Sequence, residues 1–316
     1  LQLSQIVPNI IGNIMRQATL LFIFLLILGA CDSGKQSAAP KSDEATPQRT
    51  ATAPVNNILQ GILASQPEEV QARYSARNPQ ETLTFFGIEP GMTVIEALPG
   101  GGWYSKLLLP LLGEQGRLIG AGYDLEMLAM FDFYDDARLA ELAQWADQWP
   151  AEAKTWGDAQ SASVSAFYFG NMQQELHGTV DAVLFIRALH NMARFSADGD
   201  FLDSSIENAF QALKPGGIVG IVQHAARANM PATWASGARG YLHETFVIEQ
   251  MLAAGFEFVG SSNINANPKD VPGEDDVVWR LPPVLSGSKD NAERVATMGE
   301  IGESNRMTLK FRKPSA

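Results

Sequence analysis

Two of the four histidines fall just after expected strands, and a third could fold back over them through the loop 225–242. His190 follows an apolar run in Arg187-Ala188-Leu189-His190-Asn191. His224 closes Val222-Gln223-His224, and His243 precedes a helix in Leu242-His243-Glu244. Imidazole changes charge near neutral pH, so such a group can take a proton from a reacting nucleophile. Three converging imidazoles can also hold a metal, but no short His-x-x-x-His spacing supports that here, and no metal is assigned. The alternative is that each histidine hydrogen-bonds its own loop. His177 falls in a loop and is set aside. Arg187 and Arg239 are candidates for a substrate carboxylate, while Arg227 reads as a solvated loop charge.

A second chemical feature is the stretch Val94-Ile95-Glu96-Ala97-Leu98-Pro99-Gly100-Gly101-Gly102-Trp103-Tyr104-Ser105. A β-branched run ends in a carboxylate, a proline and three glycines follow, and a helical pattern begins. Strand, glycine turn and helix in that order bare backbone N–H groups where a nucleotide-like ligand can approach without Cβ clashes. Gly100, Gly101, Gly102 and Glu96 are therefore candidate cofactor contacts. A tight turn alone, with Glu96 capping it, is the alternative.

The elements that must position these groups alternate along the chain. Strands are expected at 93–97, 117–121, 163–169, 182–186, 218–223, 256–261 and 307–312. Helices are expected at 58–64, 67–76, 80–86, 103–112, 201–213 and 246–254. Residues 124–157 read as a helical excursion whose three tryptophans fit core packing better than a cofactor box. The turn Leu213-Lys214-Pro215-Gly216-Gly217 reads as a helix stop. The Pro-, Gly-, Asp- and Asn-rich segment 265–305 reads as a long loop. The alternation predicts an α/β fold, a doubly wound and mostly parallel sheet. Right-handed crossovers put the ligand crevice at the carboxyl ends of the first and fourth strands.

Three features resemble class I S-adenosylmethionine-dependent methyltransferases: the glycine spacing, the acidic residue at the end of the first strand, and the Leu-Lys-Pro-Gly-Gly turn before the fifth. The runs "RNPQETLTFFGIEPGMTVIEALPGGGWYSKLLLP", "ALHNM", "ALKPGGIVGIVQHAA", "AAGFEFVGSS" and "LKFRKP" look like a group of extracytoplasmic methyltransferases. The resemblance spans about residues 70 to 316. It implies a Rossmann-like sheet of methyltransferase type with an antiparallel last strand, and S-adenosylmethionine as cofactor. It implies cofactor contacts at Glu96, Gly100 and Gly102. Leu98 stands where that family usually has glycine, and Gly122 where it has a ribose-binding carboxylate, for which Asp124 is the substitute. The adenine-facing loop falls near Gly170-Asn171, making Asn171 a further contact. Methyl transfer to a small or envelope-associated substrate is expected. Two alternatives stand beside it: an inactive binding module for an envelope metabolite, and a histidine- or metal-based hydrolase or lyase on the same scaffold.

Composition narrows the partners. The chain of 316 residues carries a formal net charge of −12. No basic stripe is present, so nucleic-acid binding is not expected. Cys31 is the only cysteine, which excludes an intrachain disulfide. Met15-Arg16-Gln17, the apolar run 18–28 and Leu28-Gly29-Ala30-Cys31 resemble a bacterial lipoprotein signal, with Cys31 lipidated. Residues 1–31 are then a start assigned too early plus a signal peptide. Residues 32–56 are a flexible tether, and 57–316 form one domain in the cell envelope, on the periplasmic side, held to a membrane by lipid alone.

Overall fold

Seven strands form one sheet in the order β3-β2-β1-β4-β5-β7-β6. A computed structural model of the chain describes residues 52–288 and 290–315. Cys31, its apolar run and most of the expected tether lie outside the described residues. The strands are β1 (Thr93–Ala97), β2 (Arg117–Gly122), β3 (Ser163–Tyr168), β4 (Val180–Ile186), β5 (Leu213–His224), β6 (Glu257–Ser262) and β7 (Arg306–Arg312). The first five run parallel; β7 pairs antiparallel with both β5 and β6. This is the Rossmann-like order of methyltransferase type, with the antiparallel last strand expected from sequence.

Central strands are buried on both faces, which is why they read as continuous apolar runs. Alternation sends Ile95, Ala97, Val183, Phe185, Val219 and Ile221 to one face. There they meet α6 (Leu125–Leu128), α9 (Leu189–Arg194), α10 (Phe201–Ala212) and α11 (Glu244–Ala253). Val94, Leu118, Ala182 and Leu184 face the other way. They pack on α1 (Thr52–Ser65), α2 (Glu68–Gln71), α4 (Pro79–Phe86), α5 (Ser105–Leu112) and α8 (Trp145–Lys154). The short α3 (Tyr74–Arg77) precedes α4, and α7 (Asp136–Leu142) precedes α8. In α5, six of eight residues are buried. Truncating one of its leucines to alanine should cost about 2 to 5 kcal/mol.

The aromatic stripe of 124–157 is core only in part: Trp149 is buried as expected, Phe133 is exposed, and Trp145 and Tyr134 border a cavity on the rim of the sheet. Trp149 is 1% exposed. Glycines on β2 make its place: a Cβ at Gly120 would lie 2.9 Å from Trp149, and one at Gly122 would lie 3.0 Å from Trp145.

Four expectations are corrected. The tether was expected to reach residue 56, but α1 already begins at Thr52. The expected single helix 67–76 is broken into α2 and α3. Leu213 to Gly217 does stop α10 at Ala212, but it is not a turn ahead of the strand: it opens β5, whose register with β4 shifts between Val180 and Ala182 to absorb the glycines. The segment 265–305 is not one long loop. It holds a 3-10 turn at Val278–Arg280 and α12 (Ala292–Ile301). Asp270 pins the segment down: Tyr241 donates to it at 3.0 Å, Arg280 Nη2 at 2.7 Å and the Asn305 N–H at 2.9 Å. No helix among the described residues is long and apolar enough to cross a membrane.

Candidate functional site

Strand pairing lines up the carboxyl ends of β1, β2, β4 and β5, with Ala97 opposite both Ala121 and Phe185, and Phe185 opposite Ile221. Two cavities open along that rim, where an open α/β sheet places its ligands. One adjoins the glycine turn, has a volume of about 380 Å³, and is lined by Gly100, Tyr123, Tyr134, Trp145, Glu152 and Tyr168. The other lies over β4 and β5, has a volume of about 290 Å³, and is lined by Arg187, His190, Asn191, His224, Trp279 and Ser304. Leu98 lines both.

Backbone strain coincides with this rim. Leu98 has φ +55° and Arg187 φ +59°, the left-handed region that costs a side-chain-bearing residue about 1 to 2 kcal/mol. Leu98 ends β1 and Arg187 follows β4, so each sits at the mouth of a cavity. Leu98 holds a backbone shape that glycine adopts more readily, and it lines both cavities.

The glycine turn is half open. Gly100 and Gly101 are exposed, and a Cβ at Gly101 would meet nothing within 4 Å. Gly102 is covered: a Cβ there would fall on the Trp156 ring. Glu96 points to the α5 face of the sheet, as alternation dictates. The Ser105 hydroxyl donates to it at 2.6 Å, and it lines neither cavity. Burial pushes its carboxyl up to about 7, against the Ser105 hydrogen bond and the charge of Arg187.

The second cavity is built from titratable groups. His190 and His224 lie side by side, ring centroids 5.4 Å apart and planes tilted by 55°. Gln223 Nε2 lies 3.3 Å from His190 Nδ1 and donates to the Gly240 carbonyl at 3.0 Å. His224 Nδ1 lies 2.6 Å from the Ser304 hydroxyl. Burial pulls His190 down to about 4, against its Gln223 contact, with Arg187 adding to the drop. Burial, then His190 and Arg187, holds His224 well below its usual value. Both imidazoles are neutral at pH 7. Behind them Glu303 takes three guanidiniums: Arg73 at 2.6 Å, Arg77 at 3.4 Å and Arg306 at 3.3 Å. Burial works to raise Glu303, but Arg77, Arg306 and Arg73 outweigh it and leave the carboxyl below its usual range.

The site residues expected from sequence divide accordingly. His190, His224 and Arg187 come together; Gly100 meets the first cavity. His243 does not join the other two: its Nε2 donates to the Met230 carbonyl at 3.0 Å, so it holds its own loop. Arg239 lines neither cavity, and its backbone carbonyl accepts from Val278. Asp124 caps α6, accepting from the Glu126 N–H at 2.7 Å, and its other oxygen lies against Gly170. Asn171 is exposed beyond β3. Among the described residues, no group of three or more His, Cys, Asp or Glu side chains is placed to hold a metal ion. Sequence reasoning missed Trp279, Ser304, Glu303 and the arginines behind them. A tryptophan followed by Pro282-Pro283 inside a supposed loop was the available signal.

No family model and no curated protein matches the sequence. Solved structures are similar in fold. The [4+2]-cyclase SpnF is 16% identical with a TM-score of 0.46, covering 76% of this chain and 81% of its own. The complex between the Haloferax volcanii Trm112 methyltransferase activator and its partner is 15% identical with a TM-score of 0.47, covering 81% of this chain and 97% of that one. An S-adenosylmethionine-dependent methyltransferase from Aquifex aeolicus is 16% identical with a TM-score of 0.41, covering 66% and 93%. Likeness at this level concerns the fold alone.

Proposed function

We propose that the protein transfers a methyl group from S-adenosylmethionine to a small molecule, with the cofactor in the glycine-side cavity and the acceptor in the arginine-side cavity. The observation that carries this reading is that Leu98 borders both spaces, so ligands in the two would meet across one residue. The residues present fit the cofactor. Gly100 and Gly101 bare main chain for its amino-acid end, Tyr123, Tyr134, Trp145 and Tyr168 offer ring faces for a base, and the Glu152 carboxylate can take ribose hydroxyls in place of the absent one at Gly122. When bound, the cofactor supplies an electrophilic methyl group on a sulfonium.

This chain's own work is on the acceptor. His190 and His224, both uncharged at neutral pH, can accept its proton at a free ring nitrogen. Ser304 orients the His224 ring and Gln223 the His190 ring. Trp279, Pro282 and Pro283 give the arginine-side cavity an apolar wall. Titration calorimetry of the chain with S-adenosylhomocysteine should give one-to-one binding. No heat and no thermal shift for either that molecule or S-adenosylmethionine overturns the reading.

A binding module without turnover is favoured by two features: Gly122 where a ribose carboxylate would stand, and Trp156 over Gly102. Cofactor bound without any methyl loss across a broad acceptor panel would support it. The envelope location belongs to the same proposal, since the signal resembling a lipoprotein's precedes the domain. Intact-mass measurement of the membrane-extracted protein should show a diacylglyceryl group on Cys31.

A further inference from the structure

The arginine-side cavity holds two polar groups that the protein itself leaves unanswered. Arg187 is the first. Its backbone N–H bonds to the Val222 carbonyl, but its guanidinium makes no hydrogen bond and no ion pair among the described residues. Glu303 is the carboxylate nearest in kind, and Arg73, Arg77 and Arg306 already take it. Burial, then the neighbouring Arg306, pulls Arg187 down to about 10 against the opposing charge of Glu303, so it stays charged at neutral pH. A half-buried guanidinium with no ion-pair partner of its own is costly, and its planar fork suits carboxylate or phosphate oxygens. The histidines add no competing charge, because both are neutral.

Asn191 is the second. Its Nδ2 donates to the Tyr123 hydroxyl at 3.0 Å, which fixes the amide's orientation. Its Oδ1 is then buried with no partner. Buried polar atoms in folded proteins are almost always satisfied, so an orphan on a cavity wall marks the place of a missing donor. Trp279, Leu281 and Pro282 make one side of the wall apolar, while Ser304 and Glu303, the latter already held by its three arginines, complete the polar side.

We infer that the arginine-side cavity takes a compact carboxylate or phosphate anion that also carries a hydroxyl or amine donor, the anion on the Arg187 guanidinium and the donor on Asn191 Oδ1. This rests on the acceptor half of the methyl-transfer reading: the same molecule is the methyl acceptor, and its donor atom lies beside His190. The geometry excludes a cationic acceptor, which Arg187 would repel, and a purely apolar one, which would strand both groups.

Calorimetry on the full chain tests it with benzoate, the three hydroxybenzoate isomers and the matching hydroxybenzamides. At least one hydroxybenzoate should bind at least fivefold tighter than benzoate, and at least tenfold tighter than its amide. Arg187→Gln should remove at least tenfold of the acid's affinity, and Arg187→Lys should restore part of it. Asn191→Ala should erase the preference over benzoate while leaving benzoate itself unchanged. Equal binding of acid and amide, or an acid affinity indifferent to Arg187→Gln, or no binding of any acid, overturns the proposal. S-adenosylhomocysteine is titrated against the same variants. Arg187→Gln should leave its affinity within twofold, because Arg187 lines only the second cavity. If that titration fails on the unaltered chain while the acids bind, the methyl-transfer reading falls and the anion site stands.

Discussion

The two cavities lie on one rim, both bordered by Leu98, and they are built in opposite ways. The glycine-side cavity is shaped by main chain and aromatic rings; its charges, Arg138 and Glu152, sit at the edge, and Arg138 already pairs with Glu141 at 2.7 Å. The arginine-side cavity is shaped by charge: three guanidiniums hold the Glu303 carboxylate, Arg187 stands unpaired on the wall, and two neutral imidazoles lie in front. A surface of rings and bare backbone suits a flat, largely neutral ligand part and tolerates variation in detail. A surface of buried charge does not, since each group's ionisation depends on its neighbours.

That contrast predicts where substitutions hurt. The largest effect is expected for Glu303→Gln, which strands Arg73, Arg77 and Arg306 with no anion. A loss of about 3 to 5 kcal/mol in chemical unfolding is expected; a loss below about 1 kcal/mol would mean that solvent, not Glu303, balances the arginines.

The two sides should also titrate with opposite sign. His190 has an ordinary value of 6.5 and a folded value of about 4. Its contribution to stability is therefore present above pH 6.5 and lost as pH falls through 4, on the order of 3 kcal/mol. Glu96 has an ordinary value of 4.5 and a folded value of about 7. Its contribution is present below pH 4.5 and lost as pH rises through 7, by a similar amount. Urea midpoints measured from pH 4 to 9 should show both limbs. Glu96→Gln should flatten only the alkaline limb, and His190→Gln only the acid one.

Smaller effects should separate the covered and open parts of the glycine turn. Gly102→Ala places a Cβ on Trp156 at φ +72° and should cost about 2 kcal/mol, read as a lower thermal midpoint. Gly101→Ala has open space around it and should change stability by less than about 0.5 kcal/mol. If Gly101→Ala nevertheless weakens S-adenosylhomocysteine more than tenfold, the bare main chain at that point is where the cofactor lodges.

The sequence made the sheet legible because parallel strands carry their burial in the residues themselves. β1, β4 and β7 stand within two residues of where the apolar runs place them. It made His190, His224 and Arg187 legible as well, because Arg187 directly follows β4, His224 ends β5, and His190 lies in the first turn of the helix after β4. His243, Arg239, Asp124 and Asn171 were less legible because they sit on loops, where a polar side chain finds a local backbone partner as readily as a ligand. The charge cluster was invisible for a different reason. Glu303 meets Arg73 across 230 positions of chain, and only the packing of α3 beside β7 brings them together. Segment 265–305 was misread because its prolines and glycines look irregular, although Asp270 ties it down through Tyr241, Arg280 and Asn305.

Arg73 and Arg77 come from the short helical segments ahead of β1, far from the strands whose ends they serve. A shortened chain starting at Pro79 would retain every strand, the glycine turn and both histidines. It would still lack two of the three guanidiniums that hold Glu303, and the pocket over β4 and β5 would change from cationic toward neutral. For anyone trimming this protein for crystals or assays, the boundary of the sheet is not the boundary of the chemistry.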